Sequence, residues 1–170
     1  MAQEFLSVYR ETFAPLEPRL SPARQSLTDE EFLAAMADES VVKFVGWSRD
    51  GQPCAMAVLT TDLSAVPWIS VPYFAARFPD HHRRSAIYYF HAILVRSQDQ
   101  GGPWARLMFE ELTRMLARQN AVGAFDACTH TIAVTRLPEM IARVANRLCV
   151  LDPIELDRQH YFAYGFQEKP

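Results

Sequence analysis

The spacing of apolar side chains predicts two helices at the start of the chain. From Gln3 to Phe13, one helical face collects Phe5, Val8, Tyr9 and Phe13. Pro15 and Pro18 then end this helix. The second helix is announced by Thr28-Asp29-Glu30-Glu31, a capping box in which the Thr28 hydroxyl and the Glu31 carboxylate satisfy free backbone N–H groups reciprocally.

A β-hairpin follows the two helices. The runs Val41 to Trp47 and Cys54 to Thr60 are rich in β-forming residues and bracket Arg49-Asp50-Gly51-Gln52. Asp-Gly in this setting indicates a tight turn, because the turn requires positive φ at its centre. The next segment, Asp62 to Arg84, has no clear periodicity. Because loops of that length are uncommon unless they are functional, we expect a flap that faces the substrate.

The second half of the chain alternates between buried strands and helices. Ala86 to Val95 is almost continuously apolar, as in a strand buried on both faces, and Ala121 to Cys128 is similar. An amphipathic helix over Trp104–Gln119 separates the two, and apolar residues at helical spacing predict another helix near Arg136 to Leu148. A final strand is predicted over Ile154 to Phe166, where even positions are mostly apolar or aromatic.

This order of elements predicts one α/β domain over residues 1–170, with a mixed central sheet and helices on both faces. The hairpin makes the sheet antiparallel at its start, and the later crossover helices make it partly parallel. No internal repeat, low-complexity tract or linker divides the chain, and its length suits a single core.

Composition and charge narrow the classes of function. A net charge of −3 gives no basic surface for nucleic acid. Cys54, Cys128 and Cys149 form neither a disulfide framework nor a zinc pattern, and the five histidines show no metal spacing, so no metal is expected. Without a signal peptide or an apolar span, we expect a soluble cytoplasmic protein with no membrane partner.

The segment between the strand 86–95 and the helix 104–119 has the features of an anion site. Free N–H groups and the positive end of the helix dipole would face a phosphate above it. Gly101 and Gly102 allow close backbone approach, and Pro103 suits the first helical position. Arg96 and Arg106 can add charge-assisted contacts. A simple tight turn between strand and helix explains the same glycines equally well.

Gln98-x-x-Gly101-Gly102, with its flanking strand and helix, resembles the acyl-CoA motif Gln/Arg-x-x-Gly-x-Gly/Ala of the Gcn5-related N-acetyltransferases. The order of elements is similar to that fold over most of the chain. The resemblance implies acetyl-CoA as co-substrate, with its pyrophosphate on the loop and its thioester carbonyl polarised by strand backbone. The residues implied in cofactor binding are Ile93, Leu94, Val95, Arg96, Gln98, Asp99, Gln100, Gly101, Gly102 and Trp104. Pro103 replaces the last Gly or Ala and removes one N–H.

Candidates for the acid and the base are less typical of the family. The helix near 136–148 lacks the tyrosine that such enzymes often use as acid. His91, within the central strand, can act as a base if its pKa lies near neutrality, although a histidine there is more often a hydrogen-bonded core residue. Tyr161 and Tyr164 in the predicted last strand are candidate proton donors, with packing as the alternative role.

Four residues are candidates for binding the acceptor. Asp126 lies near the carboxyl end of a strand and can orient a cationic amine or cap the next turn. Trp68, Tyr73 and Phe74 can line an acceptor pocket or pin the flap to the body. Cys128 lacks an evident base partner, and His81-His82-Arg83-Arg84 can contact a phosphate or form a solvated loop end.

The sequence-based hypothesis is transfer of an acetyl or other short acyl group from CoA to an amine of a small molecule or peptide, by direct attack in a ternary complex. Two alternatives stay open. One is a non-catalytic acyl-CoA-binding or interaction domain of the same fold, which the missing tyrosine would suit. The other is an enzyme like the acyl-homoserine-lactone synthases, which use an acylated carrier protein. The oligomeric state is also open, and a homodimer is one option.

Overall fold

The computed structural model describes residues 2–15, 21–22 and 26–168. Helix α1 spans Ala2–Phe13 and α2 spans Asp29–Ala37. The predicted capping box at Thr28 and Glu31 is present, with both of its hydrogen bonds formed. Tyr9 ties the two helices together, because its buried Oη accepts a hydrogen bond from the N–H of Leu27 at 2.5 Å. Pro18, expected to help end the first helix, lies outside the described residues.

The sheet contains four strands among the described residues, in the order β1 (Val42–Trp47), β2 (Pro53–Thr60), β3 (Ile87–Val95) and β4 (Val122–Ala124). The first three are antiparallel, and β4 runs parallel to β3. This is the mixed sheet that the sequence predicts. The β1–β2 turn has Gly51 at φ +74°, the left-handed conformation for which the Asp-Gly pair is suited.

Helices cover both faces of the sheet, as predicted. On one face, Phe5, Tyr9 and Phe32 from α1 and α2 pack with Met56 and Leu94 of the strands. On the other face lie α5 (Trp104–Arg118) and α7 (Leu137–Ala145), whose core contacts include Met108, Leu112 and Val144. Burial of these apolar surfaces supplies the main driving force for the layered arrangement.

The segment over 62–84 is not the irregular connection that the sequence predicts, because short helical elements make up much of it. The segment forms a 3-10 turn at Leu63–Ala65 and two short helices, α3 (Val71–Arg77) and α4 (Pro79–Arg83). The Ser70 hydroxyl caps α3, and Pro72 and Pro79 occupy first-turn positions where no N–H is needed. Side chains from this segment form a third core cluster with β3 and β4: Leu63, Val66, Phe74, Ile87, Tyr89 and Ala124.

The C-terminal third differs most from the sequence prediction. The strand expected over Ala121–Cys128 is limited to Val122–Ala124, and a helix that was not predicted, α6 (Thr129–Thr135), follows it. The strand expected over Ile154–Phe166 does not form, since this segment has no strand beside it among the described residues. A strand needs a partner for its backbone groups, which its own alternation does not supply. No helix in the described ranges is both long and apolar enough to cross a bilayer.

Candidate functional site

The two parallel strands separate part-way along their length. Pairing between β3 and β4 begins at Ile87 and Val122 and ends at Tyr89 and Ala124. From Phe90 to Val95, β3 keeps β2 on one side and has no strand on its other side within the described part of the chain. The backbone of Ile93, Leu94 and Val95 therefore belongs to an open strand edge, where N–H and C=O groups can face a ligand.

A β-bulge lies at His91, beside this open edge. The adjacent residues Val58 and Leu59 of β2 pair with Ala92 and Phe90, so His91 is an extra residue in β3. Bulges of this kind redirect a side chain and are frequent next to active sites. The sequence contains no signal for the bulge, because it depends on the register between two strands.

His91 is not a hydrogen-bonded core residue, which was the alternative to a catalytic role for a histidine in this strand. Its Nδ1 and Nε2 atoms are both buried, and neither has a hydrogen-bond partner among the described residues. Burial lowers the pKa of His91, and the charge of Glu31 opposes this shift to a smaller extent. The ring is therefore neutral near pH 7, which is the form that accepts a proton.

Asp126 lies at the mouth of the opening, directly beyond β4. Its exposed carboxylate accepts a 2.5 Å hydrogen bond from Tyr89 Oη and a 3.2 Å bond from Trp68 Nε1. The Trp68 ring also lies 6.3 Å from that of His91, centroid to centroid. The structure thus brings together three predicted residues with Tyr89, and we call Trp68, Tyr89, His91 and Asp126 the acceptor cluster.

Sequence reasoning missed Tyr89. A signal was available, because a tyrosine two positions from His91 in an apolar strand must find a partner for its hydroxyl. Burial and the neighbouring Asp126 carboxylate raise the pKa of Tyr89 far above its ordinary value. The phenol therefore stays protonated and acts as a fixed hydrogen-bond donor to Asp126.

The other aromatic candidates are not part of this cluster. Phe74 is buried and packs edge-on against Tyr89, with 6.1 Å between the ring centroids, so it supports the core. The exposed Tyr73 donates a 3.1 Å hydrogen bond to the carbonyl oxygen of Leu156. Tyr161 and Tyr164 lie on the exposed C-terminal segment, where Tyr161 bonds to Gln159. Neither tyrosine is a hydrogen-bond partner of Tyr89 or Asp126 in the described part of the chain.

The loop over residues 96–103 leaves the carboxyl end of β3 and leads into α5. A 3-10 turn over Ser97–Asp99 is followed by Gly101 at φ +79°, a conformation that glycine adopts without strain. A Cβ atom at Gly102 would lie 3.0 Å from the backbone oxygen of Asp99, so a side chain here would require a small shift of the loop backbone. The first-turn N–H groups of α5 have no intrahelical acceptor, which suits them to an anion.

Charged side chains around this loop are paired within the protein. Arg96 Nε donates to Asp99 Oδ2 at 2.6 Å, and both side chains are largely buried. In the amide orientation that satisfies both atoms, the Gln98 oxygen accepts from Arg96 at 2.8 Å. Arg106, expected to reach a phosphate, instead bonds to Glu110 at 2.6 Å. The groups that this loop offers to an anion are therefore mainly backbone N–H groups.

Two further predicted cofactor residues have structural contacts of their own. The Gln100 side chain donates a 3.3 Å bond to the carbonyl oxygen of Val95, which closes the loop onto its strand. The Trp104 ring packs over Gly46, where a Cβ would approach it to 3.3 Å. These contacts position the loop and the start of α5 against the sheet.

The remaining candidates lie elsewhere or serve as caps. The residues His81-His82-Arg83-Arg84 precede β3, at the end opposite to the 96–103 loop, and Arg84 binds the carbonyls of Gln119 and Asn120. The sulfur of Cys128 accepts from the N–H of Thr131 at the start of α6. Within residues 2–15, 21–22 and 26–168, no group of three His, Cys, Asp or Glu side chains is placed to bind a metal ion.

Comparisons with known proteins bear on the fold. No protein-family model matches the chain, and no curated protein matches its sequence significantly. Solved structures do match. A point-mutant form of the BH1408 protein from Bacillus halodurans is 15% identical with a TM-score of 0.50, and the match covers 93% of this chain and 91% of that one. A protein from Agrobacterium tumefaciens str. C58, provisionally described as an acetyltransferase, is 15% identical with a TM-score of 0.51, over 93% and 92% of the two chains.

These similarities extend over nearly the whole length of both chains. A sequence identity of 15% supports a shared fold only, so the activity must be argued from the residues of the site. The chain has the α/β fold of these solved structures, which is the fold that the resemblance to the Gcn5-related N-acetyltransferases predicts.

Proposed function

We propose that the protein transfers an acetyl or other short acyl group from CoA to an amine of a small molecule or peptide. The observation that carries this proposal is the separation of β3 from β4 after Tyr89 and Ala124, with a glycine-containing loop at the carboxyl end of β3. Ligands in α/β sheets bind beyond the carboxyl ends of strands, where neighbouring strands part. Here one opening offers both a phosphate cradle and a cluster of polar side chains.

The 96–103 loop fits the phosphate end of CoA. A side chain at Gly102 would crowd the backbone oxygen of Asp99, and without one the backbone there can approach an anion closely. The α5 dipole adds a partial positive charge at the same place. Pro103 contributes no N–H, and Arg96 is engaged with Asp99, so the cradle is less cationic than one with a free arginine. We therefore expect binding that depends on the loop backbone more than on arginine charge.

The open edge of β3 and the acceptor cluster fit the reacting end. An acceptor amine attacks the thioester carbonyl carbon, the new C–N bond forms as the C–S bond breaks, and the amine proton must leave. Neutral His91 is the group we assign to take this proton, which finally returns to the thiolate of CoA. The attacking nitrogen must be neutral, so the carboxylate of Asp126 orients the acceptor through a positive charge elsewhere on the acceptor molecule. Strand backbone at Ile93–Val95 stabilises the developing oxyanion.

Binding of acetyl-CoA is the first test. Millimolar acetyl-CoA should raise the melting temperature by mass action, since it binds only the folded chain. Gly102→Asp places bulk and negative charge in the cradle and should abolish the shift. Gly165→Asp is the matched control, because a Cβ at Gly165 meets no atom within 4 Å. No shift with the unchanged protein, or equal shifts for the two variants, would contradict the donor site.

Release of free thiol across a panel of amines tests catalysis separately. The proposal expects turnover with at least one amine and its loss in His91→Gln at pH 7, with the acetyl-CoA melting shift retained. The absence of a tyrosine from α7 leaves a non-catalytic acyl-CoA-binding domain as the second candidate. Acetyl-CoA binding without thiol release from any amine would favour that candidate.

A further inference from the structure

Trp68 connects the two residues of the acceptor cluster to which different roles are assigned. Its indole Nε1 donates a 3.2 Å hydrogen bond to Asp126 Oδ1, and its ring lies 6.3 Å from the ring of His91, centroid to centroid. Trp68 comes from the 62–84 segment, whereas His91 lies in β3 and Asp126 follows β4. One side chain therefore lies against the proposed base and is bonded to the carboxylate that orients the acceptor.

The imidazole of His91 is closed to an acceptor in the conformation that the structure shows. Both of its ring nitrogens, Nδ1 and Nε2, are buried. A general base must come within about 2.6–3.2 Å of the heavy atom whose proton it takes, or reach it through one water. A group that covers the imidazole must therefore move before an amine can reach it.

Trp68 is the group whose position suits such a movement. It exposes 36% of its surface, so it is the outer ring of the pair that it forms with His91. It lies in a turn between the 3-10 turn at Leu63–Ala65 and α3, outside any helix or strand. Side chains at exposed positions change rotamer readily, and a change here leaves the strands of the sheet in place.

The hydrogen bond that holds Trp68 in place is the longer of two bonds to one oxygen. Asp126 Oδ1 accepts from Tyr89 Oη at 2.5 Å and from Trp68 Nε1 at 3.2 Å. The usual N–H···O distance is about 2.9–3.0 Å, so the indole bond is a long one. Its acceptor is an exposed carboxylate. A cation at this carboxylate brings a full charge to its hydrogen bond, which the neutral indole lacks.

We propose that Trp68 is a specificity-determining residue that closes the approach to His91, and that an acceptor with a second positive charge opens it by replacing the indole at Asp126. This inference rests on the proposed function and names its acceptor class as diamines and other amines that carry a separate cationic group. The neutral nitrogen of such a molecule attacks the thioester while its cationic group binds Asp126. A ligand shifts a conformational equilibrium only by its different affinity for the two states, and a monoamine lacks the group that provides this difference.

Chemical modification measures the access to His91 directly. Diethyl pyrocarbonate reacts with accessible neutral imidazoles, and mass spectrometry of peptides follows each histidine separately. In the unchanged protein we expect His91 to react much more slowly than the exposed His160. Trp68→Phe keeps an aromatic ring and removes the N–H, so it should accelerate the modification of His91 roughly two- to tenfold, the effect of one lost hydrogen bond.

Trp47→Phe is the matched control for this substitution. Trp47 is exposed to nearly the same extent, 37%, but its ring packs edge-on against Phe5 at 5.2 Å between centroids. The rate at His91 should therefore stay the same in this variant. Circular dichroism of both variants should show the folded spectrum of the unchanged protein, because each substitution keeps an aromatic ring at a partly exposed position.

Tryptophan fluorescence tests whether a second positive charge releases the indole. Titration with 1,4-diaminobutane, without acetyl-CoA, should change the emission of the unchanged protein. The same change should occur in Trp47→Phe and be absent from Trp68→Phe. Butylamine at equal concentration should give a smaller change, because it carries one amine only. In the thiol-release assay, the preference in kcat/KM for diaminobutane over butylamine should fall in Trp68→Phe, mainly because butylamine is used better.

Each part of the proposal has a result that would overturn it. If His91 is modified as fast as His160 in the unchanged protein, its approach is not closed. Equal rates in Trp68→Phe and the unchanged protein would show that Trp68 does not close it. Equal fluorescence changes with the two amines would rule out the acceptor class. Modification and fluorescence need no acyl transfer, so these failures differ from failure of the proposed function, which is the lack of thiol release with every amine.

Discussion

Tyr89 donates a 2.5 Å hydrogen bond from its phenol to the carboxylate of Asp126, and this bond spans the point where β3 and β4 separate. The phenol is buried, whereas the carboxylate is exposed at the mouth of the opening. The buried phenol of Tyr89 thus fixes the orientation of the exposed Asp126 carboxylate. Trp68 bonds to the same oxygen from the 62–84 segment, so three parts of the chain meet at one carboxylate.

Tyr89→Phe should separate this positioning role from general packing. Losing a hydrogen bond to a partly solvated carboxylate should lower the free energy of unfolding by about 1 kcal/mol. We expect the KM for the acceptor amine to rise while the acetyl-CoA melting shift is unchanged. Tyr88→Phe is the control, because Tyr88 Oη bonds to Gln119 at 2.6 Å on the other face of the sheet. A similar rise in KM for both variants would argue against a positioning role.

The features that were predictable from the sequence are those set by local chemistry. The Thr28 capping box and the Asp50-Gly51 turn involve residues within a few positions of each other, and both are found as expected. The glycine at position 101 likewise adopts positive φ in the loop where the motif places it. In each case the residue type is one that favours the backbone conformation found at that position.

The features that were not predictable depend on residues distant in sequence. Tyr89 and Asp126 are 37 positions apart, and only the pairing of β3 with β4 brings them together. The bulge at His91 follows from the register between β2 and β3. The prediction of a strand over Ile154–Phe166 was wrong for a related reason. Alternation of apolar and polar residues indicates which side chains would share a face, but it does not indicate which strand would pair with the segment.

His91 should make stability depend on pH. The pKa of a histidine in the unfolded chain is 6.5, and burial lowers it in the folded protein. As the pH falls below about 6.5, the unfolded chain takes up a proton that the folded chain resists, so the free energy of unfolding decreases. Above pH 7 both states are neutral at this residue, and its contribution no longer varies. Urea unfolding between pH 5 and 8 measures the slope.

The comparison for this experiment is His91→Leu, in which the decline below pH 6.5 should be smaller than in the unchanged protein. His160→Leu replaces an exposed histidine on the C-terminal segment and should keep the original decline. An identical pH profile in His91→Leu would mean that His91 is not the group resisting protonation. That result would also weaken its assignment as the base.

Gly46 lies where the β1–β2 hairpin packs against the start of α5. A Cβ at this position would lie 3.2 Å from that of Ala55 and 3.3 Å from the Trp104 ring. Gly46→Val should therefore destabilise the fold by about 1–3 kcal/mol through overpacking. Because Trp104 begins α5, its displacement should also reduce the acetyl-CoA melting shift. Gly46→Ala, with less added volume, should produce smaller changes of the same sign; an undiminished shift in Gly46→Val would separate Trp104 from the donor site.

Asp126→Asn tests whether the acceptor is recognised by its charge. The amide oxygen can still accept hydrogen bonds from Tyr89 and Trp68, so the local structure should be kept, while the negative charge is lost. A charge-assisted contact contributes about 1.5–3 kcal/mol, which corresponds to a rise in acceptor KM of roughly ten- to a hundredfold. The kcat and the acetyl-CoA melting shift should change little, because the proposed donor loop follows Val95, farther along β3 than Tyr89. Asp62→Asn, a carboxylate that caps the turn at Leu63–Ala65, provides the matched loss of charge and should leave KM unchanged. If Asp126→Asn leaves KM unchanged as well, the acceptor is not held by this carboxylate, and the role of Asp126 is limited to binding Tyr89 and Trp68.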